Sequence, residues 1–162
     1  MIRKILALLL ALGALYLGVN FLVELFTSDE TKIRHLLGDM EEAYNAGKPR
    51  SCIEPVAKDW HHEGYEIDRE LLFGALAQTF LDRDRETKQL RTRVEVDEGA
   101  AEVAVDGERA AVACEATFFR LRAGQWSESW HVRLEADLED RDDGWEIVKS
   151  RHRDERGTHL GR

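Results

Sequence analysis

The chain has 162 residues, 32 of them acidic and 23 basic, and carries a formal net charge of −9. That balance repels phosphate backbones and anionic headgroups, and no basic stripe interleaved with aromatics overrides it, so no nucleic-acid partner is expected. Cys52 and Cys114, the two cysteines, lack the Cys-x-x-Cys spacing of a redox or zinc site and read as two buried thiols.

Arg3 and Lys4 precede residues 5–23, nineteen positions without a charge. At about 1.5 Å per helical residue such a run reaches roughly 28 Å, close to the hydrocarbon thickness of a bilayer. It exceeds the apolar part of a secretory signal, and bulky residues at 19–26 stand where a cleavage site needs small ones. Residues 1–26 are therefore expected to be a retained transmembrane anchor or uncleaved signal. Arg3 and Lys4 lie before the span and Glu24, Asp29 and Glu30 after it, which places the N-terminus in the cytoplasm and the rest outside. No cysteine follows in a lipobox-like setting, so a lipid anchor has no support. Ala14-x-x-x-Gly18 is a small-x-x-x-small pair, read as coincidence in a span rich in Leu, Ala and Gly.

Residues 27–153 have the size of one domain with one core. Ser28 can cap a first helix in which Ile33, Leu36, Leu37, Met40, Ala43 and Tyr44 recur at helical spacing until Gly47. Ser51-Cys52-Ile53-Glu54 has the form of a capping box, so Ile53, Val56, Ala57 and Trp60 are expected on a short second helix, made brief or irregular by Pro55. Asp68 can cap a third helix that buries Leu71, Leu72, Ala75, Leu76 and Phe80. From Gln89 the period becomes alternating: Leu90, Thr92, Val94 and Val96, then Ala101, Val103 and Val105, then Val112, Cys114, Ala116 and Phe118, then Trp130, Val132, Leu134, Ala136 and Leu138 face one side. Turns are expected at Asp106-Gly107, Ala123-Gly124 and Asp142-Asp143-Gly144, with Trp145, Ile147 and Val148 in the last strand and a loose tail over residues 154–162. The expectation is an α+β domain: three helices packed on the dry face of four or five antiparallel strands.

This order resembles the NTF2-like superfamily, also called the SnoaL-like or cystatin-like cone fold. The resemblance rests on Glu42-Ala43-Tyr44-Asn45-Ala46-Gly47-Lys48, Val56-Ala57-Lys58-Asp59-Trp60, Asp68-Arg69-Glu70-Leu71-Leu72, the pair of strands meeting at Asp106-Gly107, and Gly144-Trp145-Glu146-Ile147-Val148. It implies a curved antiparallel sheet wrapped round the helices into a cone whose mouth can hold a small hydrophobic ligand. Members include isomerases, dehydratases and transport factors, so fold alone does not give function. Members like the steroid isomerases need a carboxylate base near the end of the first strand after the helices and a hydroxyl or acid deep in the cone. The corresponding stretch here is Asp59-Trp60-His61-His62-Glu63-Gly64-Tyr65, with Asp59 or Glu63 as the base and Tyr44 facing the cavity. No matching acid stands on the dry face of the later strands, so that catalytic pattern is incomplete.

Asp59, His61, His62 and Glu63 are the densest cluster of titratable groups, the residue types that acid–base chemistry needs. On an extended strand His61 and His62 point to opposite sides, so only one can enter a site. The spacing is not that of a zinc motif, and neither metal nor cofactor is expected. The weak catalytic candidates are Asp59, His62 and Glu63; the candidates for a ligand pocket are Tyr44, Trp60, Tyr65, Phe80, Phe118 and Trp130. His131 is expected on the wet face as a cross-strand partner, and His35, His152 and His159 on the surface. The expectation for function is a membrane-anchored extracytoplasmic module, non-catalytic, that binds a small hydrophobic ligand or a protein. The alternative is a cone isomerase or dehydratase. Homodimerisation through a sheet laced with Arg91, Arg93, Arg133 and Glu135 is a third reading.

Overall fold

The computed structural model describes residues 28–157. The expected anchor and residues 158–162 lie outside the described residues, among which no helix is long and apolar enough to cross a membrane.

Helix α1, Asp29–Asn45, begins at Ser28, whose side chain accepts the Thr31 amide at 3.3 Å, with Asp29 and Glu30 in the positive first turn. It buries Ile33 completely and Ala43 nearly so. Gly47 closes it at φ 67°, a left-handed conformation that favours glycine. Helix α2 is shorter than expected, Pro49–Ile53, and opens on a proline, whose missing donor costs nothing in a first turn.

Val56, Ala57 and Trp60 are not on that helix. They belong to strand β1, Val56–His62, which lies between the second and third helices and runs parallel to the last strand of the sheet. A bulge between Val56 and His61 breaks the two-residue alternation, so the buried positions recur at a spacing that mimics a helical face. Helix α3, Arg69–Leu81, starts at Asp68 as expected, the carboxylate accepting the Leu71 amide at 2.9 Å. Its sequence is apolar around most of its circumference, which hid the true inner face: Phe80 is buried, Leu72 and Leu76 are half-buried, and Leu71, expected inside, is 57% exposed.

Five further strands follow: β2 (Thr92–Val96), β3 (Glu102–Asp106), β4 (Arg109–Arg122), β5 (Gln125–Arg141) and β6 (Gly144–Gly157). All three expected turns form, with Gly107, Ala123 and Gly124, and Gly144 supplying positive φ. The order is β1-β6-β5-β4-β2, with β3 also on β4. The sheet is therefore mixed and six-stranded rather than purely antiparallel. Strand β6 also runs further than expected: Asp154 to Gly157, assigned to the loose tail, pair with β5 opposite Val132 to Trp130.

Strand β2 has a free edge, and α1 covers it. Asn45 exchanges two hydrogen bonds of 2.8 Å with the Val94 backbone, and Glu41, one turn earlier, accepts the Val96 amide at 2.9 Å. Two polar side chains thus continue the ladder that β2 lacks on that side. They seat the helix over the concave face, where the largest core cluster joins Ile33, Val56, Ala57, Trp60, Val112, Cys114, Leu138, Trp145 and Ile147.

Candidate functional site

The concave face does not close fully. Val94, Val96, Val112, Cys114, Ala116 and Ala136 are small or medium-sized, so the curved sheet and the helices leave a cavity of about 400 Å³ between them. Leu37, Met40 and Tyr44 of α1 line it on one side, Leu72 and Leu76 of α3 and Trp60 on another, and Phe118 and Leu134 on the sheet. Such a volume lies far above the water-sized gaps of a packed core and within the range of small-molecule sites.

One end of the cavity is polar. His62, last residue of β1, points inward while its neighbour His61 is exposed, as strand geometry requires. Its Nε2 lies 2.9 Å from Nδ1 of His152, which reaches in from β6. Tyr65, 55% exposed, stacks on the His152 ring at 5.6 Å and 8°, and Trp130 meets it edge-on at 5.5 Å. The Trp130 indole donates to Asp154 Oδ1 at 2.7 Å, and that same oxygen is 4.0 Å from His152 Nε2. Tyr65 and Asp154 are exposed, so this end of the cavity lies near solvent. Burial, and then the repulsion that two charged rings side by side would feel, pull the His62 pKa below its usual value against the opposing pull of the Glu63 backbone and carboxylate, so His62 is neutral at pH 7. Its Nδ1 is buried and has no hydrogen-bond partner in the structure.

Deeper groups are already committed. The Tyr44 hydroxyl pairs with Thr92 Oγ1 at 2.9 Å, its ring held edge-on by Phe80 and Phe118, and burial raises its pKa. Trp60 Nε1 donates to Ser150 Oγ at 3.2 Å. Cys52 and Cys114 both line the cavity as free thiols; burial pushes Cys114 up to about 11 and Cys52 upward, so both stay protonated. Among the described residues no three His, Cys, Asp or Glu side chains gather as a metal ion would require.

The structure separates the sequence candidates. His62, Tyr44, Trp60 and Phe118 line the cone; Tyr65 and Trp130 flank its polar end; Phe80 is buried behind Tyr44. Asp59 and Glu63 do not reach it. Asp59 forms a forked ion pair with Arg141 at 2.8 and 3.1 Å, which lowers its pKa, and Glu63 pairs with Lys149 at 3.3 Å, both exposed on the outer face. His131 is a cross-strand partner of Thr117 and Glu115, as expected. His152, expected at the surface, and Asp154, expected in the tail, are the two residues that sequence reasoning missed. Alternation along β6 carried the signal, because Ser150, His152 and Asp154 stand opposite Ala136, Leu134 and Val132 of the dry face.

No family model matches the sequence, and no curated protein matches it. Solved structures do share its architecture. An NTF2-like protein with a cystatin-like fold from Novosphingobium aromaticivorans superposes with a TM-score of 0.66 at 16% identity, over 93% of this chain and 94% of that one. A domain of unknown function with a cystatin-like fold from Nostoc punctiforme gives 0.63 at 21% identity, over 83% and 81%. An NTF2-like superfamily protein from Salmonella enterica gives 0.59 at 16% identity, over 82% and 95%. The chain thus adopts the NTF2-like, cystatin-like cone fold, and at these identities the likeness concerns fold alone.

Proposed function

We propose that the cone binds a small, mainly apolar molecule, and that the leader of residues 5–23 holds the domain at the outer face of a cytoplasmic membrane. The observation that carries the binding reading is the cavity of about 400 Å³ with an almost wholly apolar lining. Its orientation supports entry from the aqueous side. Asp29, where the leader joins α1, lies against Trp145 at 3.4 Å, at the opposite end of a helix about 25 Å long from Tyr44 and the histidines. On this reading the polar end of the cavity lies away from the end of α1 that follows the leader.

The test is binding of N-phenyl-1-naphthylamine to the full chain and to Ala116→Phe, which puts a ring into the cavity. Fluorescence enhancement that saturates with the parent chain and falls at least tenfold in affinity in the variant is the expected result. Equal binding by the two places the probe elsewhere and removes this reading. For the address, alkaline carbonate extraction should leave the full chain in the membrane fraction and release it once residues 1–26 are deleted.

A second reading, acid–base chemistry on the bound molecule, is favoured by the hydrogen-bonded His62–His152 pair, since imidazoles near neutrality are the usual proton-transfer groups. It replaces Asp59 and Glu63 with His62 as the base.

A further inference from the structure

We propose that the occupant of the cone is a compact hydrophobic alcohol or phenol whose O–H donates to Nδ1 of His62. This rests on the binding reading above and names the polar group that the site recognises.

Among the described residues three buried side-chain nitrogens lack a partner: His62 Nδ1 and the Nε atoms of Arg91 and Arg93. His62 alone of these residues lines the cavity. Apart from the two thiols, the other polar side chains around the cavity are already paired: Tyr44 with Thr92, Trp60 with Ser150, Glu41 with the Val96 amide, Glu135 with Arg151, and Trp130, at the polar end, with Asp154. A buried polar atom without a partner destabilises its surroundings, and a ligand that pairs with it at the same place removes that cost.

Whether Nδ1 gives or takes a hydrogen bond depends on its neighbours. The bond between His62 Nε2 and His152 Nδ1 holds one proton, and it can be drawn two ways with neutral rings. If His152 donates, its Nε2 turns a lone pair toward the Asp154 carboxylate 4.0 Å away, which is repulsive. If His62 donates, His152 Nε2 carries the hydrogen toward that carboxylate, which is attractive. Trp130 fixes Asp154 in place through its 2.7 Å hydrogen bond, and stacked Tyr65 fixes the plane of His152. The second arrangement satisfies Asp154 and leaves His62 Nδ1 with a lone pair, and it is the arrangement on which the proposal rests. The groups bearing on His62 directly are His152 of β6 and Glu63 and Tyr65 of the following turn, while Glu41 of α1, Glu135 of β5 and Arg151 of β6 are the other charged residues lining the same cavity. Burial and His152 disfavour the doubly protonated ring more strongly than the Glu63 backbone and carboxylate favour it, so one of the two His62 nitrogens is left as an acceptor. An acceptor in an apolar chamber selects a donor carried on an apolar body, and a hydroxyl is the smallest that fits. A phenol, a stronger donor than an aliphatic alcohol, suits an imidazole best.

The test compares 2-naphthol with 2-methoxynaphthalene, of the same shape but without the O–H, titrated into the full chain and into His62→Phe. The parent is expected to hold 2-naphthol at least tenfold more tightly, and the variant to hold both equally. A second measurement does not depend on the variant folding. The ¹⁵N resonances of His62 should show Nδ1 unprotonated at pH 7.5, and that resonance should move when 2-naphthol is added and stay with the ether. Equal affinities in the parent, or a hydrogen on Nδ1, overturn the inference while leaving the binding reading intact. If neither naphthalene nor N-phenyl-1-naphthylamine binds, both fall.

Discussion

The two faces of one sheet have been put to different uses. On the concave face the side chains of β4 and β5 include Val112, Cys114, Ala116, Val132 and Leu134, and at the cavity's polar end His62, His152 and Asp154 are tied into one array. On the convex face β5 carries Arg133 against Glu102 at 3.1 Å, Glu135 against Arg151 of β6, and Arg141 gripping Asp59 and Glu139 at 2.8 Å each. Alternation assigns each residue to one face, but it is the curvature of the sheet that makes the concave one a chamber. Charges in water are interchangeable to a degree that groups inside the chamber are not.

The sharpest way to break this contrast is to put a charge on the wrong face. Val132→Asp, at a position with no solvent exposure, should cost more than 4 kcal/mol and abolish cooperative urea unfolding, since nothing nearby pairs the carboxylate. Asn45→Ala should cost about 1–2 kcal/mol, because it strips the two hydrogen bonds that close the β2 edge; amide exchange at Val94 should accelerate in step.

A smaller effect follows from pH. Because His62 titrates below 6.5 when folded, the unfolded chain takes up that proton first as the solution is acidified. Stability associated with a neutral His62 is complete above pH 6.5 and declines as pH falls from there to the lowered folded value, with no further loss beneath it. His62→Phe should flatten the urea midpoint across that window. The carboxylates lowered by ion pairs, Asp59 and Glu135, act only in more acidic solution.

The least effect is expected on the convex face. Glu135→Gln should leave the urea midpoint within experimental scatter at 0.15 M salt, because its arginine partner is open to water. A large loss there would show that the ladder supports the sheet's curvature.

Much of this was legible beforehand. Ser28 and Asp68 as helix caps, Gly47 as a stop, three turns and four alternating strands are local chemistry, settled by residues within four positions of one another. The misreadings have local causes too. The β1 bulge imitated a helical period, and α3 is too uniformly apolar for periodicity to show its inner face. Asp59 and Glu63 looked catalytic because they adjoin His62 in sequence, yet strand geometry and Arg141 and Lys149 hold them outside.

The sequence by itself determined the elements, their order and the apolar leader, since hydrogen-bonding caps, turn conformations and hydrophobic period act over short distances along the chain. Tertiary structure alone decided that β1 joins β6 in parallel, that the sheet curves around a cavity, and that His152, ninety residues beyond His62, completes the site. Those outcomes depend on which distant strands pair and how tightly the sheet bends, which no window of sequence contains.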